Sequence, residues 1–268
     1  MSITITTIHP QDLLNPAKNP LLHNINNLIN DIYSVHGHPD AYGKYHGHDQ
    51  LYTEPRIIVE DQLVHELGPE GFVAVCIDDS LPSNSGSVPS VSSPTEYHVG
   101  KYGQVVAVAS VKPWKGKVTE LYKQAMMSRD ASGNTVVHDL ELAKLGKEYL
   151  AELRRTSPTW DWELSTCASV NEARYRGQGL ITRSVDALVE RLRGQQERYR
   201  AVGDRRGTLP IKLWSTALAG SGNIEYWTRR GFITEGGLDQ APKGMWTSTR
   251  DFEIQVLSKI LNDGRCSK

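Results

Sequence analysis

The chain has 268 residues, of which 38% are hydrophobic and 23% are charged, and its formal net charge is −1. This length suits one sizeable hydrophobic core or at most two small domains. The near-zero charge excludes a general electrostatic attraction to nucleic acid or to an anionic membrane. The three cysteines, which include no CxxC pair, exclude a disulfide framework and the common zinc motifs.

The first residues and the hydropathy of the chain bear on its location. The N-terminal sequence MSITITTIHPQ lacks a basic segment followed by a long apolar run, so we expect no secretory signal. No apolar stretch reaches the ~20 residues that span a bilayer. Because the few cysteines also suit a reducing compartment, we expect a cytosolic protein with no membrane partner, and entry into the nucleus stays open.

The N-terminal half predicts a strand, two helices and a strand pair. Isoleucine and threonine alternate over Ile3–Ile8, which is typical of a strand. An apolar stripe after residues 19–20 predicts a helix, and a second amphipathic helix is expected over residues 55–67. The apolar runs at residues 71–77 and 104–114 should pair as neighbouring strands.

Three segments in this half lack a packing pattern. Residues 79–100 contain LPSNSGSVPSVSSP, a composition too polar to order itself, which predicts a mobile loop. Residues 115–158 predict a helical insertion whose role the sequence leaves open. Two His-Gly-His sequences could in principle bind zinc, but no rigid element frames them, so no metal site is predicted; they contain His36, His38, His46 and His48.

The most informative stretch is WELSTCASVNEARYRGQGLITRSVDALVERL, residues 162–192, which predicts a strand, a short loop and an amphipathic helix. A helix N-terminus presents unpaired N–H groups to an anion. Gly177 and Gly179 let the backbone approach closely, and Arg174 and Arg176 add forked donors. These features predict a phosphate-binding loop; an ordinary turn with surface arginines is the alternative. The helical pattern is carried by Ile181, Val185, Leu188 and Leu192.

The remaining residues predict a short helix among further strands. Residues 193–208 are rich in charge and are expected to form a connector. A strand is expected over residues 211–215, a short helix over 222–230, and another strand from residue 232. The alternating residues 252–256 predict a last strand. Helices interspersed among strands predict a layered, mixed α/β domain.

Two of these segments match the motifs of one known family. RYRGQG, residues 174–179, resembles the R/Q-x-x-G-x-G/A acetyl-CoA pyrophosphate loop of the GNAT superfamily of N-acetyltransferases. NIEYWTRRGF, residues 223–232, resembles a late motif of that family, and the two occur in the family's order. The resemblance implies a single GNAT domain over residues 1–268, of the α/β (α+β) class. Its mixed, mostly antiparallel central sheet would be flanked by helices, with splayed strands that bind CoA.

The resemblance further implies direct transfer of an acetyl group from acetyl-CoA to an amine. Glu163 lies fourteen positions before Gly177, as does the catalytic base in the histone-acetylating branch of GNAT. Its apolar neighbours Trp162 and Leu164 would disfavour the charged carboxylate, which suits a base. Glu172 is the second candidate. The alternative for Glu163 is a strand carboxylate that faces solvent or pairs with an arginine.

The remaining site residues follow from the same resemblance. The end of the strand would pair with the pantetheine arm, and a backbone N–H near Ala168 or Val170 would bind the oxyanion. Tyr226 would protonate the leaving thiolate, although the family's usual position falls on Trp227; otherwise Tyr226 packs in the core. The residues implied to bind the cofactor are Cys167, Ala168, Ser169, Val170, Arg174, Tyr175, Arg176, Gly177, Gln178, Gly179, Leu180, Asn223 and Trp227.

The expected acceptor is the primary amine of a small molecule, because no acidic tract suited to basic protein tails is present. The position of Glu163 keeps a protein lysine or N-terminal acetyltransferase as the alternative. A non-catalytic CoA-binding sensor of the same fold is a further alternative. No metal and no nucleic-acid partner is expected, and one chain leaves the oligomeric state open.

Overall fold

The computed structural model describes residues 2–15, 18–33, 56–57, 59–81, 104–117, 155–243 and 251–261. Strands and helices are numbered in chain order. The strands are β1 Ile3–Ile8, β2 Phe72–Asp78, β3 Val105–Pro113, β4 Trp160–Ser169, β5 Ile211–Leu218, β6 Ile233–Thr234, β7 Asp239–Ala241 and β8 Phe252–Leu261. The helices are α1 Pro10–Leu13, α2 Asn19–Ile32, α3 Gln62–Leu67, α4 Leu180–Ala201 and α5 Asn223–Thr228.

The eight strands form a mixed, mostly antiparallel sheet. Their order is β1-β2-β3-β4-β5-β8-β6, and β7 pairs with β8. β4 and β5 are parallel, whereas β1–β2, β2–β3 and β5–β8 are antiparallel. The predicted fold class is therefore confirmed, and the long strands lie close to where the sequence predicted them. Only the short strand β7 had no counterpart in the predicted pattern.

The chain is organised as two compact units. The first unit comprises Met1–His48, Glu54–Lys112 and Ser165–Gln195. The second unit comprises Asp49–Thr53, Pro113–Leu164 and Gln196–Lys268. The prediction of a single domain over the whole chain stays a prediction.

The first unit has apolar clusters on both faces of its strands. Val73 and Val75 of β2 belong to a cluster that also contains the buried stripe of α2 and residues of α3. Cys76 of β2 belongs to a second cluster with Tyr175 and Leu180. Because both faces are covered, β2 and β3 are apolar over most of their length rather than alternating.

The helix predicted over residues 55–67 is wrong in its first half. Helix α3 begins only at Gln62. The backbone at Ile57 instead pairs with the side-chain amide of Asn30, which donates to the Ile57 carbonyl at 2.8 Å and accepts from its N–H at 2.6 Å. Ile57 is still buried, so its apolar character served the core without requiring a helix. Periodicity alone could not reveal an asparagine so far away in the chain as the partner.

The charged connector predicted over residues 193–208 is also wrong in part. Helix α4 continues to Ala201, because glutamine, glutamate and arginine are good helix formers. Its last turns are held by packing: the Tyr199 ring contacts Trp160 edge-on at 5.5 Å. Gln196 is buried and donates to the Leu209 carbonyl, and Arg200 donates to the Gly207 carbonyl at 3.0 Å.

The second unit is built around β5 and β8. Along both β4 and β5, buried and half-buried residues alternate, as in strands with one fully covered face. Trp162 is completely buried and packs edge-on against Trp160, with ring centres 5.2 Å apart. Among the residues that the structure describes, no helix is long and apolar enough to cross a membrane.

Candidate functional site

The predicted phosphate-binding loop lies between β4 and α4 in the first unit. A single 3-10 turn, Ala173–Tyr175, precedes the two glycines. Gly177 and Gly179 have φ values of 74° and 63°, in the left-handed region that favours glycine. No atom lies within 4 Å of a Cβ built at either glycine, so the backbone there borders open space. An anion could therefore approach this backbone and the N-terminus of the 22-residue helix α4.

Arg174 and Arg176 are exposed on either side of the buried Tyr175. Arg174 Nε contacts a carboxylate oxygen of Glu172 at 2.9 Å, and Arg176 Nε donates to the Asn171 side chain at 3.3 Å. The Arg174–Glu172 contact is a surface ion pair, which contributes only about 0–1 kcal/mol, and the Arg176 contact is a hydrogen bond to a neutral amide. Either arginine could exchange its present partner for a phosphate at small cost.

The buried side chain of Tyr175 anchors the loop to β2. Its hydroxyl donates to Asp78 Oδ2 at 2.8 Å, and Ser80 donates to Asp78 Oδ1 through its backbone N–H at 3.0 Å and its hydroxyl at 2.6 Å. Burial alone would raise the pKa of Asp78, but these donors outweigh it and hold the pKa below its usual value. Burial and the bond to Asp78 raise the pKa of Tyr175. The pair therefore consists of a phenol and a carboxylate at neutral pH.

The start of α4 is anchored to the same strand. Cys76 Sγ lies 3.1 Å from Ser184 Oγ and 3.7 Å from the Leu180 carbonyl oxygen. Burial raises the pKa of Cys76, so the residue is a neutral thiol rather than a nucleophile. Arg183 of the same turn donates to the Ile3 carbonyl at 3.4 Å. The loop and the first turn of the helix are thus held on β1 and β2.

The end of β4 is where a backbone N–H was expected to bind the oxyanion. The N–H of Val170 donates to the Val106 carbonyl at 3.0 Å, and its role at an oxyanion stays a prediction. Ala168 lies two residues earlier and its N–H points to the same edge. On the opposite edge, Tyr33 Oη donates to the Cys167 carbonyl at 3.2 Å and lies 3.5 Å from the Cys167 nitrogen. Burial raises the pKa of Tyr33 to about 12, so this hydroxyl stays protonated.

The surroundings of Glu163 also differ from the prediction. Trp162 and Leu164 lie on the buried face of β4, whereas Glu163 is half-buried on the other face, so these apolar side chains do not surround its carboxylate. Glu163 lies beside Trp214 in the β4–β5 register. The Trp214 ring stacks on Trp114 with ring centres 4.9 Å apart, and its Nε1 donates to Asp161 Oδ1 at 2.8 Å. The rings of Trp214 and Trp114 and the carboxylate of Asp161 therefore lie on the side of the sheet that contains Glu163.

The predicted residues of α5 lie in the second unit, as does Glu163. Trp227 is buried and contacts the rings of Phe232 and Tyr226, with centres 5.2 and 4.9 Å away. The Arg230 guanidinium lies 3.5 Å from the centre of the Tyr226 ring. Asn223 is exposed at the first position of the helix. Trp227 therefore packs in the core of its unit, and the assigned roles of Tyr226 and Asn223 stay predictions.

Two residues near the loop were missed by reading the sequence. Asp78 lies one residue beyond the strand predicted over residues 71–77; it is the last residue of β2 and is buried, whereas the neighbouring Asp79 is exposed. Tyr33, which directly follows α2, was not identified as a site residue. The four histidines of residues 36–48 and most of the predicted loop and insertion lie outside the described residues. Within the described ranges, no group of three histidine, cysteine or acidic residues could hold a metal ion.

No family model and no curated protein matches the chain in sequence. Several solved structures are similar to it at low identity. NAA60 of Arabidopsis thaliana in complex with acetyl-CoA is 12% identical with a TM-score of 0.49, over 97% of this chain and 99% of that one. The Drosophila melanogaster polyamine N-acetyltransferase is 12% identical with a TM-score of 0.47, over 97% and 100%.

A third similar structure is the ribosomal-protein-S18-alanine N-acetyltransferase from Escherichia coli. It is 11% identical with a TM-score of 0.43, and each chain is covered completely. Similarities at this level do not transfer an activity or an acceptor. The resemblance to the GNAT superfamily therefore rests on the two sequence motifs and stays a prediction.

Proposed function

We propose that the chain is an acetyl-CoA-dependent N-acetyltransferase that acetylates the primary amine of a small molecule. The observation that carries the proposal is the loop between β4 and α4. It combines two glycines with a left-handed backbone conformation, open space beside that backbone, the start of a 22-residue helix and two exposed arginines. A backbone shaped in this way suits a pyrophosphate group.

In this proposal the cofactor is held mainly by main-chain atoms. The backbone from Gly177 to Leu180 binds the pyrophosphate, and Arg174 and Arg176 neutralise its charge. The edge of β4 at Cys167 pairs with an amide of the pantetheine arm. The Tyr33 hydroxyl, which now contacts the Cys167 backbone, would give way to that amide.

The reaction forms one bond and breaks one. The amine nitrogen attacks the thioester carbonyl carbon, the tetrahedral intermediate collapses, and the carbon–sulfur bond breaks to give an amide and a thiolate. An alkylammonium has a pKa near ~10, so a base must remove a proton before or during attack. We assign that role to Glu163, and we assign protonation of the thiolate to Tyr226.

One observation favours a small acceptor over a protein tail: the net charge of −1 provides no acidic field to attract basic tails. A protein lysine or an N-terminal amine is the alternative acceptor that the assay must include.

The test is titration calorimetry with acetyl-CoA, followed by thiol release with a panel of small amines and peptides. We expect binding, and turnover with a small amine. Turnover only with peptides would move the protein to the alternative acceptor class. Binding without release for any acceptor would favour a CoA sensor, and absence of binding would refute the proposal.

A pair of double variants tests the loop itself. Arg176→Ala with Gly179→Asp places a carboxylate in the loop and should weaken acetyl-CoA binding at least about a hundredfold, since it removes a charged contact and adds repulsion. The control is Arg198→Ala with Gly194→Asp, which makes the same charge change farther along α4. Equal affinities of the two double variants would contradict the assignment of the loop.

A further inference from the structure

We infer that Asp78 is a positioning residue for the phosphate-binding loop, which it holds in its anion-binding shape through the hydroxyl of Tyr175. The inference rests on the proposed function and assigns a role to a residue that lies outside the loop. Asp78 ends β2 and is separated from Tyr175 by 97 positions in the chain. Its side chain is 1% exposed, so it cannot contact a cofactor itself.

Tyr175 is the middle residue between the two arginines of the loop. Tyr175 is 4% exposed, and its neighbours Arg174 and Arg176 are both exposed. A fixed phenol at the middle position therefore determines the direction in which both guanidinium groups leave the backbone. The Arg174 guanidinium lies 4.6 Å from the centre of the Tyr175 ring, so the anchored ring also supports this arginine directly.

The chemistry of Asp78 indicates a purpose beyond packing. A buried carboxylate without partners is costly, and an apolar side chain of the same size would fill this place at lower cost. Asp78 has three donors, two from Ser80 and one from Tyr175. The Ser80 bonds already satisfy one oxygen, so the bond from Tyr175 is the contact that links the loop to β2.

A second contact on the same strand makes the arrangement rigid. Cys76 precedes Asp78 by two residues, and the two pair with Ile5 and Ile3 of β1. Cys76 contacts Ser184 and Leu180 in the first turn of α4. The loop and the helix start are thus fixed to successive positions on one face of β2, which keeps the two glycines aligned with the helix N-terminus.

The test compares two acetyl donors in Tyr175→Phe. With acetyl-CoA, we expect KM to rise about tenfold with little change in kcat, the size of one hydrogen bond to a charged acceptor. With S-acetylpantetheine, which lacks the pyrophosphate, we expect the KM of the variant to equal that of the wild type. A merely destabilised fold would affect both donors alike. Tyr199→Phe, which removes another bonded phenol hydroxyl, is the matched control and should change neither KM.

A double-mutant cycle ties the effect to Asp78. Asp78→Ala should raise KM for acetyl-CoA as much as Tyr175→Phe does, and the double variant no further, because both remove one link. Asp78→Asn keeps an acceptor and should recover most of the affinity. Additive effects in the cycle, or equal losses with both donors, would overturn the inference while leaving the proposed function intact. Failure of the wild-type protein to bind acetyl-CoA would overturn both.

Discussion

The surroundings of the loop in the first unit and those of Glu163 and α5 in the second unit are stabilised in different ways. In the first, directed polar contacts fix the backbone, with Tyr175 bonded to Asp78 and Tyr33 to the Cys167 backbone. In the second, stacked and tilted aromatic rings are prominent, with Trp114 on Trp214 and Trp227 on Phe232. Directed contacts hold a backbone in one conformation, whereas ring packing fills volume and shapes a surface.

This difference suits two tasks. A pyrophosphate is recognised by fixed N–H groups, which need a backbone of defined shape. In the proposed reaction, deprotonation of the amine acceptor depends on one carboxylate. The stability of the loop surroundings should therefore depend on single polar atoms and on pH. The stability of the surroundings of Glu163 and α5 should depend on side-chain volume.

The largest expected effect is a loss of turnover, which would show that the surroundings of Glu163 and α5 also contain the catalytic base. Glu163→Gln removes a proton acceptor with little change in volume, so we expect kcat to fall by about 10²–10⁴ at neutral pH. The loss should shrink as pH approaches the pKa of the amine, because the amine then loses its proton unaided. The measurement is the pH dependence of kcat for both proteins. Glu172→Gln is the comparison variant, and a larger loss there would transfer the role of base to Glu172.

The next largest effect tests whether the volume of the Trp227 side chain stabilises the fold. Trp227→Ala should lower the free energy of unfolding by about 3–5 kcal/mol, because it leaves a cavity between Tyr226 and Phe232. Trp227→Phe keeps most of the ring volume and should cost much less. Urea denaturation of both variants measures the difference. Equal costs for alanine and phenylalanine would show that a polar contact of the indole, rather than its volume, matters here.

The smallest effect tests the polar contacts of the first unit. Arg56 donates to both oxygens of Glu66, at 2.7 and 2.6 Å. Burial alone would raise the pKa of Glu66, but Arg56, Lys112 and Gln62 together hold it below its usual value. A carboxylate with a lowered pKa stabilises the fold above its unfolded-state pKa, and this stability is lost as pH falls through the folded-state pKa.

The corresponding variant is Glu66→Gln. At pH 7 we expect it to lower the free energy of unfolding by about 1–3 kcal/mol, because a charged hydrogen-bond acceptor is lost. As pH falls from 7 through the lowered folded-state pKa of Glu66, the wild-type carboxyl also becomes protonated, and the difference between the two proteins should shrink. Urea denaturation across this range measures it. A difference that is independent of pH would show that the charge of Glu66 does not stabilise the fold.

Local patterns predicted most of the fold because the strands carry their own signals. β1, β2, β3 and β8 were visible as alternating or continuous apolar runs, and the loop glycines as a short motif. The errors arose where a distant partner decides the local structure. Ile57 is buried without a helix because the Asn30 side chain pairs with its backbone, and the last turns of α4 are held by the packing of Tyr199 on Trp160.

The candidate site shows the same limit. The residue types in the loop were readable because the backbone there requires glycine. The face on which Glu163 lies, the partner of the Val170 N–H and the bond between Asp78 and Tyr175 depend on pairing between strands and on contacts across 97 positions. A local stretch of sequence does not identify partners that are this distant in the chain.

Cys76 and Asp78 on β2 hold the start of helix α4 and the phosphate-binding loop, and this restricts where residues can be inserted or deleted. Cys76 and Asp78 reach the helix start and the loop only because they lie two residues apart on one face of the strand. One inserted or deleted residue in β2 before Asp78 would turn the following side chains to the opposite face and break the bond that Tyr175 donates to Asp78. Insertions and deletions at these positions should therefore disrupt the loop, and a circularly permuted or fused version of the protein should keep this strand uninterrupted.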